Sequence, residues 1–202
     1  MYNFIKRLFD VIVAFFGLII LFPFLIIVAI LIKIDSKGPI IFKQKRIGKK
    51  GKVFNIYKFR SMTVNAEKQG VYEVKNDMRV TKIGKIIRKL SIDEFPQFIN
   101  ILKGDMSVIG PRPTLTYHPW PLEKYTDLQK KRFNVRPGVT GWAQVNGRKD
   151  VEWNRRIELD LFYVDHMSLL LDVKILIMTV YKVIFMKDNV NKSSTVLNDS
   201  KE

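Results

Sequence analysis

The chain has 202 residues and a net charge of +16, with 35 Lys plus Arg against 19 Asp plus Glu. Its length predicts one globular unit, and its charge points to an anionic partner: nucleic acid, an anionic lipid surface or a phosphorylated substrate. With no cysteine, disulfides, thiol nucleophiles and Cys-ligated metals are excluded. The histidines, His118 and His166, stand apart without the spacing of a zinc pair.

Lys6, Arg7 and Asp10 precede an uncharged apolar run, Val11 to Ile32, which contains Gly17 and Pro23. At a helical rise of ~1.5 Å per residue the run reaches ~33 Å, enough to cross a bilayer. Pro23 removes the N–H that would bond the carbonyl of Ile19, which predicts a kink. Cations flank both ends, Lys6 and Arg7 before the run and Lys33, Lys37, Lys43 and Lys45 after it. Such flanks favour the cytoplasmic side. Residues 1–35 therefore read either as a spanning helix with a tolerated proline or as a re-entrant helix bent at Pro23. In the second case each arm, ~16–18 Å long, dips into one leaflet. No small-residue cleavage site follows, so the segment is expected to be retained. Asp10, one turn after Lys6 and Arg7, is expected to pair with them.

Residues 36–186 supply the rest of the core. Ser36-Lys37-Gly38-Pro39 is a turn. Ile40 to Phe42 and Val53 to Phe59 are short strands separated by a basic loop, Gly48 to Gly51, which predicts a small hairpin. Arg60 to Asp77 reads as loop or irregular helix. Ile83, Ile86, Ile87 and Leu90 recur at helical spacing, so Lys82 to Leu90 is predicted to be amphipathic helix. A helix over Ser91 to Leu102 is closed by Lys103-Gly104, and a turn runs through Gly110 to Pro113. A surface helix is predicted over Leu122 to Phe133, a loop-rich stretch over Val135 to Arg148, and a helix over Glu152 to Tyr163. Ser168 caps a last apolar helix to Met186, whose Asp172, Lys174 and Lys182 favour a core or interfacial position over a crossing. Residues 187–202 are polar and predict a disordered tail.

Ser91-Ile92-Asp93-Glu94-Phe95-Pro96-Gln97 concentrates the chemistry. Ser-x-x-Glu is a capping box, and acidic residues suit a helix's first turn. With Ser91 as the cap, however, Pro96 falls where an N–H is needed; a helix beginning at Asp93 places that proline in its first turn without cost. In either frame, adjacent carboxylates at a positive helix end favour the ionised form. An ionised Asp93 is a competent nucleophile toward phosphorus, and Glu94 suits Mg²⁺ binding or a base role. Arg88 precedes the pair, and Arg112 follows it between two prolines that restrict its backbone. Their guanidinium forks match phosphate. Gly138, Gly141 and Gly147 either let backbone approach a ligand or simply make turns. A capped helix start and a solvated arginine are the plainer alternatives. Taken together, these residues point to a reaction on phosphate at a membrane surface.

This ordered set resembles the bacterial sugar transferases, the small monotopic polyprenyl-phosphate phosphoglycosyl transferases. The resemblance covers the chain to about residue 186. It rests on Lys6-Arg7 with Asp10, the apolar helix with Pro23, Tyr57-Lys58-Phe59-Arg60-Ser61-Met62, the Ser91 to Gln97 motif, Lys103 to Pro113, and Arg136 to Arg148. It departs at Phe22, where some relatives carry serine, and at Phe95, where leucine is common.

The resemblance implies an α+β, mainly α fold: a proline-broken re-entrant membrane helix, a small β-hairpin, and amphipathic interfacial helices around the active site. It implies a place on the cytoplasmic face of the bacterial inner membrane. The implied reaction moves a sugar 1-phosphate from a UDP-sugar to undecaprenyl phosphate and releases UMP, the first membrane step of capsule, O-antigen or glycoprotein glycan assembly. In that chemistry Asp93 is the nucleophile and forms an aspartyl phosphosugar in ping-pong fashion. Glu94, with Asp93, binds Mg²⁺ or acts as base, while Arg88, Arg112 and Arg148 contact phosphate. The sugar and the oligomeric state stay open.

A non-enzymatic alternative is a basic membrane-bound scaffold that recruits nucleic acid or a partner protein. The acidic pair repels nucleic acid, and aromatic-interleaved basic patches are missing. Anionic lipids, not nucleic acid, are the expected macromolecular surface.

Overall fold

The computed structural model describes residues 1–70, 77–147 and 152–185. The apolar run forms one long helix, α1 (Tyr2–Asp35), with Pro23 inside it. Helix continues through that position, so the residues on either side of Pro23 belong to one element. A proline removes a single donor, and apolar helices tolerate it. One face of α1 packs on the protein through Ala14, Leu25, Val28 and Ile32. The other exposes Phe4, Ile12, Ile20, Phe22, Ile27 and Ile34 at 46–77 %. An apolar face of this kind marks a membrane interaction surface.

By length and composition α1 suffices to cross a membrane. Yet both of its ends are tied to the same globular body. At its start, Arg7 donates to the carbonyls of Ile101 (2.8 Å) and Leu102 (3.2 Å). The Tyr2 hydroxyl (2.9 Å) and Lys6 Nζ (3.0 Å) donate to Asp172. At its end, Arg60 donates to the carbonyls of Ile32 (3.2 Å) and Ser36 (2.6 Å), and Asp35 accepts from the Ile83 amide (3.0 Å). Hydrogen bonds to charged groups contribute about 1.5–3 kcal/mol each. Neither end hangs free.

The hairpin pairs β1 (Ile41–Ile47) with β2 (Val53–Phe59), Ile41 opposite Phe59 and Ile47 opposite Val53. β1 outruns the expected Ile40 to Phe42 because its alternation is polar: Lys43 and Lys45 are exposed, while Gln44 and Arg46 are half-buried. Helix α2 (Lys82–Lys89) starts at Thr81, whose side chain accepts from the Gly84 amide. Ile83 and Ile87 pack against α1 and Phe59, whereas Ile86 and Leu90 remain exposed. After a 3₁₀ turn (Ile92–Glu94) comes α3 (Gln97–Lys103), closed by Gly104 at φ 86°.

β3 (Ser107–Ile109) pairs in parallel with β4 (Gly138–Thr140). Here the backbones approach so closely that a Cβ on Gly138 would lie 2.1 Å from the Gly110 amide nitrogen. That glycine serves strand packing. Asp10 does not pair with the cations before it. It is 1 % exposed, and its Oδ1 accepts from the Ser107 hydroxyl (2.9 Å) and the Val108 amide (2.8 Å). A carboxylate buried against β3 needs such fixed donors.

The surface helix expected over Leu122 to Phe133 is instead α4 (Asp127–Lys130), flanked by 3₁₀ turns at Leu122–Lys124 and Lys131–Asn134. Tyr125 and Thr126 take extended backbone, and Thr126 forms a capping box with Gln129, so the helix restarts at Asp127 instead of running through. Three helices complete the described chain: α5 (Trp142–Gly147), α6 (Trp153–Asp165) and α7 (Leu169–Ile184). Ser168 caps α7 as expected, accepting from the Leu171 amide. The central core joins Ala14, Ile56, Ile101, Met106, Tyr163 and Ile175, so α1, the hairpin, α3, α6 and α7 share one interior. The tail expected over 187–202 lies outside the described residues.

Candidate active site

Asp93 and Glu94 lie in the 3₁₀ turn between α2 and α3. Ser91 opens that turn in the left-handed region, φ 58° and ψ 20°, and its side chain caps nothing. The capping box is therefore not formed. Pro96 instead stands immediately before α3 with helical dihedrals, where its missing N–H costs nothing. Holding a non-glycine residue left-handed costs roughly 1–2 kcal/mol. The fold accepts that strain two residues before Asp93.

Asp93 is 8 % exposed. Lys58 of β2 reaches both carboxylates, its Nζ 2.6 Å from Glu94 Oε1 and 3.8 Å from Asp93 Oδ2. Arg112 Nη2 lies 2.9 Å from the same Glu94 oxygen. Arg88, in the last turn of α2, donates to the Ser61 hydroxyl at 3.2 Å and adds its positive charge to the surroundings of Asp93. The structure thus brings Asp93, Glu94, Arg88 and Arg112 together. Arg148 lies outside the described residues, and Pro23 sits within α1.

The loop that carries Arg112 is fastened from two sides. Arg46 donates to the Pro113 carbonyl (3.1 Å), and Arg132 donates to the Arg112 carbonyl (3.0 Å) while pairing with Asp160. Burial, aided by the charge of Arg112, pushes the Arg46 guanidinium down to about 10.

The two carboxyls of the dyad differ. Burial raises Asp93 above the ordinary carboxylate range; Lys58 opposes the shift and the charge of Glu94 adds to it. Burial pushes Glu94 upward too, but direct contact with Lys58 and Arg112 more than reverses this and holds it well below its ordinary value. Glu94 keeps its charge, and Asp93 is the member that titrates.

Lys58, which stands in the Tyr57 to Met62 motif without a role assigned from sequence, is the further side chain that the structure brings to the dyad. Its signal lies in strand parity: Phe54, Ile56 and Lys58 share one face of β2, and Ile56 is 3 % exposed. A lysine continuing a core-facing row calls for a carboxylate partner.

Among the described residues, no group of three His, Cys, Asp or Glu side chains forms a metal cage. Asp93 and Glu94 offer two carboxylates, one oxygen of Glu94 already being shared by two cations. This donor set fits Mg²⁺ that draws its other oxygens from substrate phosphates and water.

Residues 1–186 match the bacterial sugar transferase family. An uncharacterized sugar transferase, EpsL of Bacillus subtilis (strain 168), is 46% identical over 180 residues, covering 89% of this chain and 87% of that one. A UDP-N-acetylgalactosamine-undecaprenyl-phosphate N-acetylgalactosaminephosphotransferase of Aeromonas hydrophila is 45% identical, over 89% of this chain and 43% of its own. A UDP-glucose:undecaprenyl-phosphate glucose-1-phosphate transferase of Klebsiella pneumoniae is 46% identical, over 88% and 39%. The chain thus spans less than half the length of the latter two. With a match over nearly all of its described residues, this chain belongs to the bacterial sugar transferase family.

Proposed function

We propose that the chain transfers a sugar 1-phosphate from a UDP-sugar to undecaprenyl phosphate, through a covalent intermediate on Asp93. The observation that carries this reading is the pair of unlike carboxyls, a buried Asp93 beside a Glu94 clamped by Lys58 and Arg112. Relatives named for UDP-N-acetylgalactosamine and UDP-glucose substrates, each with undecaprenyl phosphate, support the substrate classes.

In the first half-reaction an Asp93 oxygen attacks the β-phosphorus, the bond from that phosphorus to the bridging oxygen breaks, and UMP departs. In the second, an oxygen of the lipid phosphate attacks the same phosphorus. The Asp93–phosphorus bond breaks, which restores the carboxylate and yields the lipid diphosphate-linked sugar. Arg112 and Arg88 hold phosphate oxygens, and Lys58 offsets charge as two anions approach. Glu94 and Asp93 would hold Mg²⁺, which supplies charge neutralisation on the diphosphate. One nucleophile attached to the protein lets two anionic substrates use the site in turn.

The reaction is placed on the cytoplasmic face of the bacterial inner membrane, with α1 entering and leaving one leaflet. This is supported by the polar ties at both ends of α1 and by its exposed apolar side. The scaffold alternative finds no support, since the relatives are named for sugar-phosphate transfer.

The test uses purified protein with UDP-sugars, Mg²⁺ and undecaprenyl phosphate. UMP is expected as product and Asp93→Asn is expected to abolish its release. Release of UDP would mean direct glycosyl transfer and overturn the reading.

A further inference from the structure

A cavity of about 310 Å³ opens at the N-terminal end of α1, against β3 and the end of α6. Its lining includes Lys6, Arg7, Lys49 and Arg136, with Asp10 as the carboxylate among them. Lys58, Arg88 and Arg112, the cations around the dyad, take no part in it. The dyad precedes α3, whereas Arg7 and Arg136 hold carbonyls at the other end of that helix, which is about 10 Å long at the usual rise.

The charges in this cavity do not balance. Lys6 is paired with Asp172, and the charge of Asp10, whose Oδ1 accepts from Ser107 and Val108, acts on both Lys6 and Arg7. Arg7 bonds only neutral carbonyls, those of Ile101 and Leu102, and Arg136 bonds the carbonyl of Gly104. Lys49 is exposed at the rim, and neither it nor the two arginines forms a salt bridge among the described residues. Arg7, Arg136 and Lys49 outnumber the one carboxylate left to them, Asp10, and Arg136 repels Arg7, so an anion in the cavity relieves an excess of positive charge.

Size and position select the anion. Phosphate alone would leave most of the volume to water, and a phosphodiester with its glycerol fills more of it. The same arm of α1 exposes Phe4 and Leu8, so the helix turns that line the cavity also carry surface suited to a bilayer. Basic pockets at that depth bind phosphate headgroups.

We propose that this cavity is a phosphate site separate from the catalytic dyad, filled by the headgroup of an anionic bilayer lipid and served by Arg7, Arg136 and Lys49. Occupied, it fixes the N-terminal arm of α1 against the membrane surface. The site goes beyond the proposed transfer reaction and does not depend on it.

The test titrates the 202-residue chain in neutral detergent with dioctanoyl phosphatidylglycerol, dioctanoyl phosphatidylcholine and inorganic phosphate, following the thermal midpoint. Repeating it on the Arg112→Gln chain removes phosphate held at the dyad. Phosphatidylglycerol is expected to raise the midpoint and phosphatidylcholine to leave it unchanged. Lys49→Glu and Arg136→Gln are expected to weaken phosphatidylglycerol about tenfold, the loss of a charge-assisted contact. Lys50→Glu, outside the lining, is expected to leave it unaltered. The Lys49 side chain makes no hydrogen bond or salt bridge among the described residues, so its substitution keeps the test valid if Arg136→Gln fails to fold. Phosphate binding that needs Lys49, without a lipid response, upholds the anion site and assigns it to a soluble phosphate. Equal weakening by Lys49→Glu and Lys50→Glu, or none by either, overturns the proposal.

Discussion

Lys58 Nζ sits 2.6 Å from Glu94 Oε1 and 3.8 Å from Asp93 Oδ2, so one cation serves both members of the dyad. It lowers the carboxyl of each, against burial that raises both. Lys58 connects the hairpin to the chemistry, since it is the strand register that presents this ammonium to the turn holding Asp93.

A pH profile follows. In the proposed reaction the nucleophile is the carboxylate form of Asp93, whose pKa is raised, so kcat/KM is expected to fall as pH drops through that raised value. Lys58→Gln removes an attraction for the carboxylate, and the acid limb is expected to move to higher pH. At neutral pH the same change should cost about 10²–10³ in kcat, comparable to removing one preorganised donor. A rate loss without displacement of the acid limb would limit Lys58 to substrate contact.

Arg132 and Asp160 form a pair in which each side chain is 1 % exposed. Arg132→Met leaves the carboxylate buried and alone, and is expected to destabilise the protein by about 3–5 kcal/mol. Arg132→Met with Asp160→Leu should recover most of that loss, because the uncompensated charge disappears. Thermal or denaturant unfolding in detergent checks both. Because Arg132 also donates to the carbonyl of Arg112, kcat should fall even where the double variant folds.

Much of this architecture is readable from residue order. The hairpin, the amphipathic helix that carries Arg88 in its last turn, the Gly104 stop and the Ser168 cap all follow from local rules. What local rules miss is decided by tertiary partners. Asp10 looked like a neighbour of Lys6 and Arg7, but the face of α1 that carries it packs on β3, and two donors from Ser107 and Val108 claim it. Ser91 and Glu94 have capping-box spacing, yet Lys58 and Arg112 draw Glu94 into a turn that Ser91 enters left-handed. The identities of Asp93, Glu94, Arg88 and Arg112 were legible as a motif. The role of Lys58 was not, because its partner lies 36 residues away in the chain.

The disposition of α1 makes a topological prediction. Its two ends bind the same body, so Asn3→Cys and Lys37→Cys, both at exposed positions, are expected to react with an impermeant thiol reagent from one and the same side of the membrane. In oriented vesicles that side should be the cytoplasmic one. Reaction of the two cysteines from opposite sides would make α1 a spanning helix and require its polar ties to the globular body to be broken at one end.

The central claim is a sugar phosphate carried on Asp93, and the most direct measurement is the mass of the protein after incubation with UDP-sugar and Mg²⁺ in the absence of lipid acceptor. The expected result is UMP release limited to one equivalent per chain, with a mass increase of one sugar phosphate on the peptide that contains Asp93, removed when undecaprenyl phosphate is added and absent in Asp93→Asn. UMP formed only when both substrates are present, with no adduct on Asp93 under rapid quench, would contradict it.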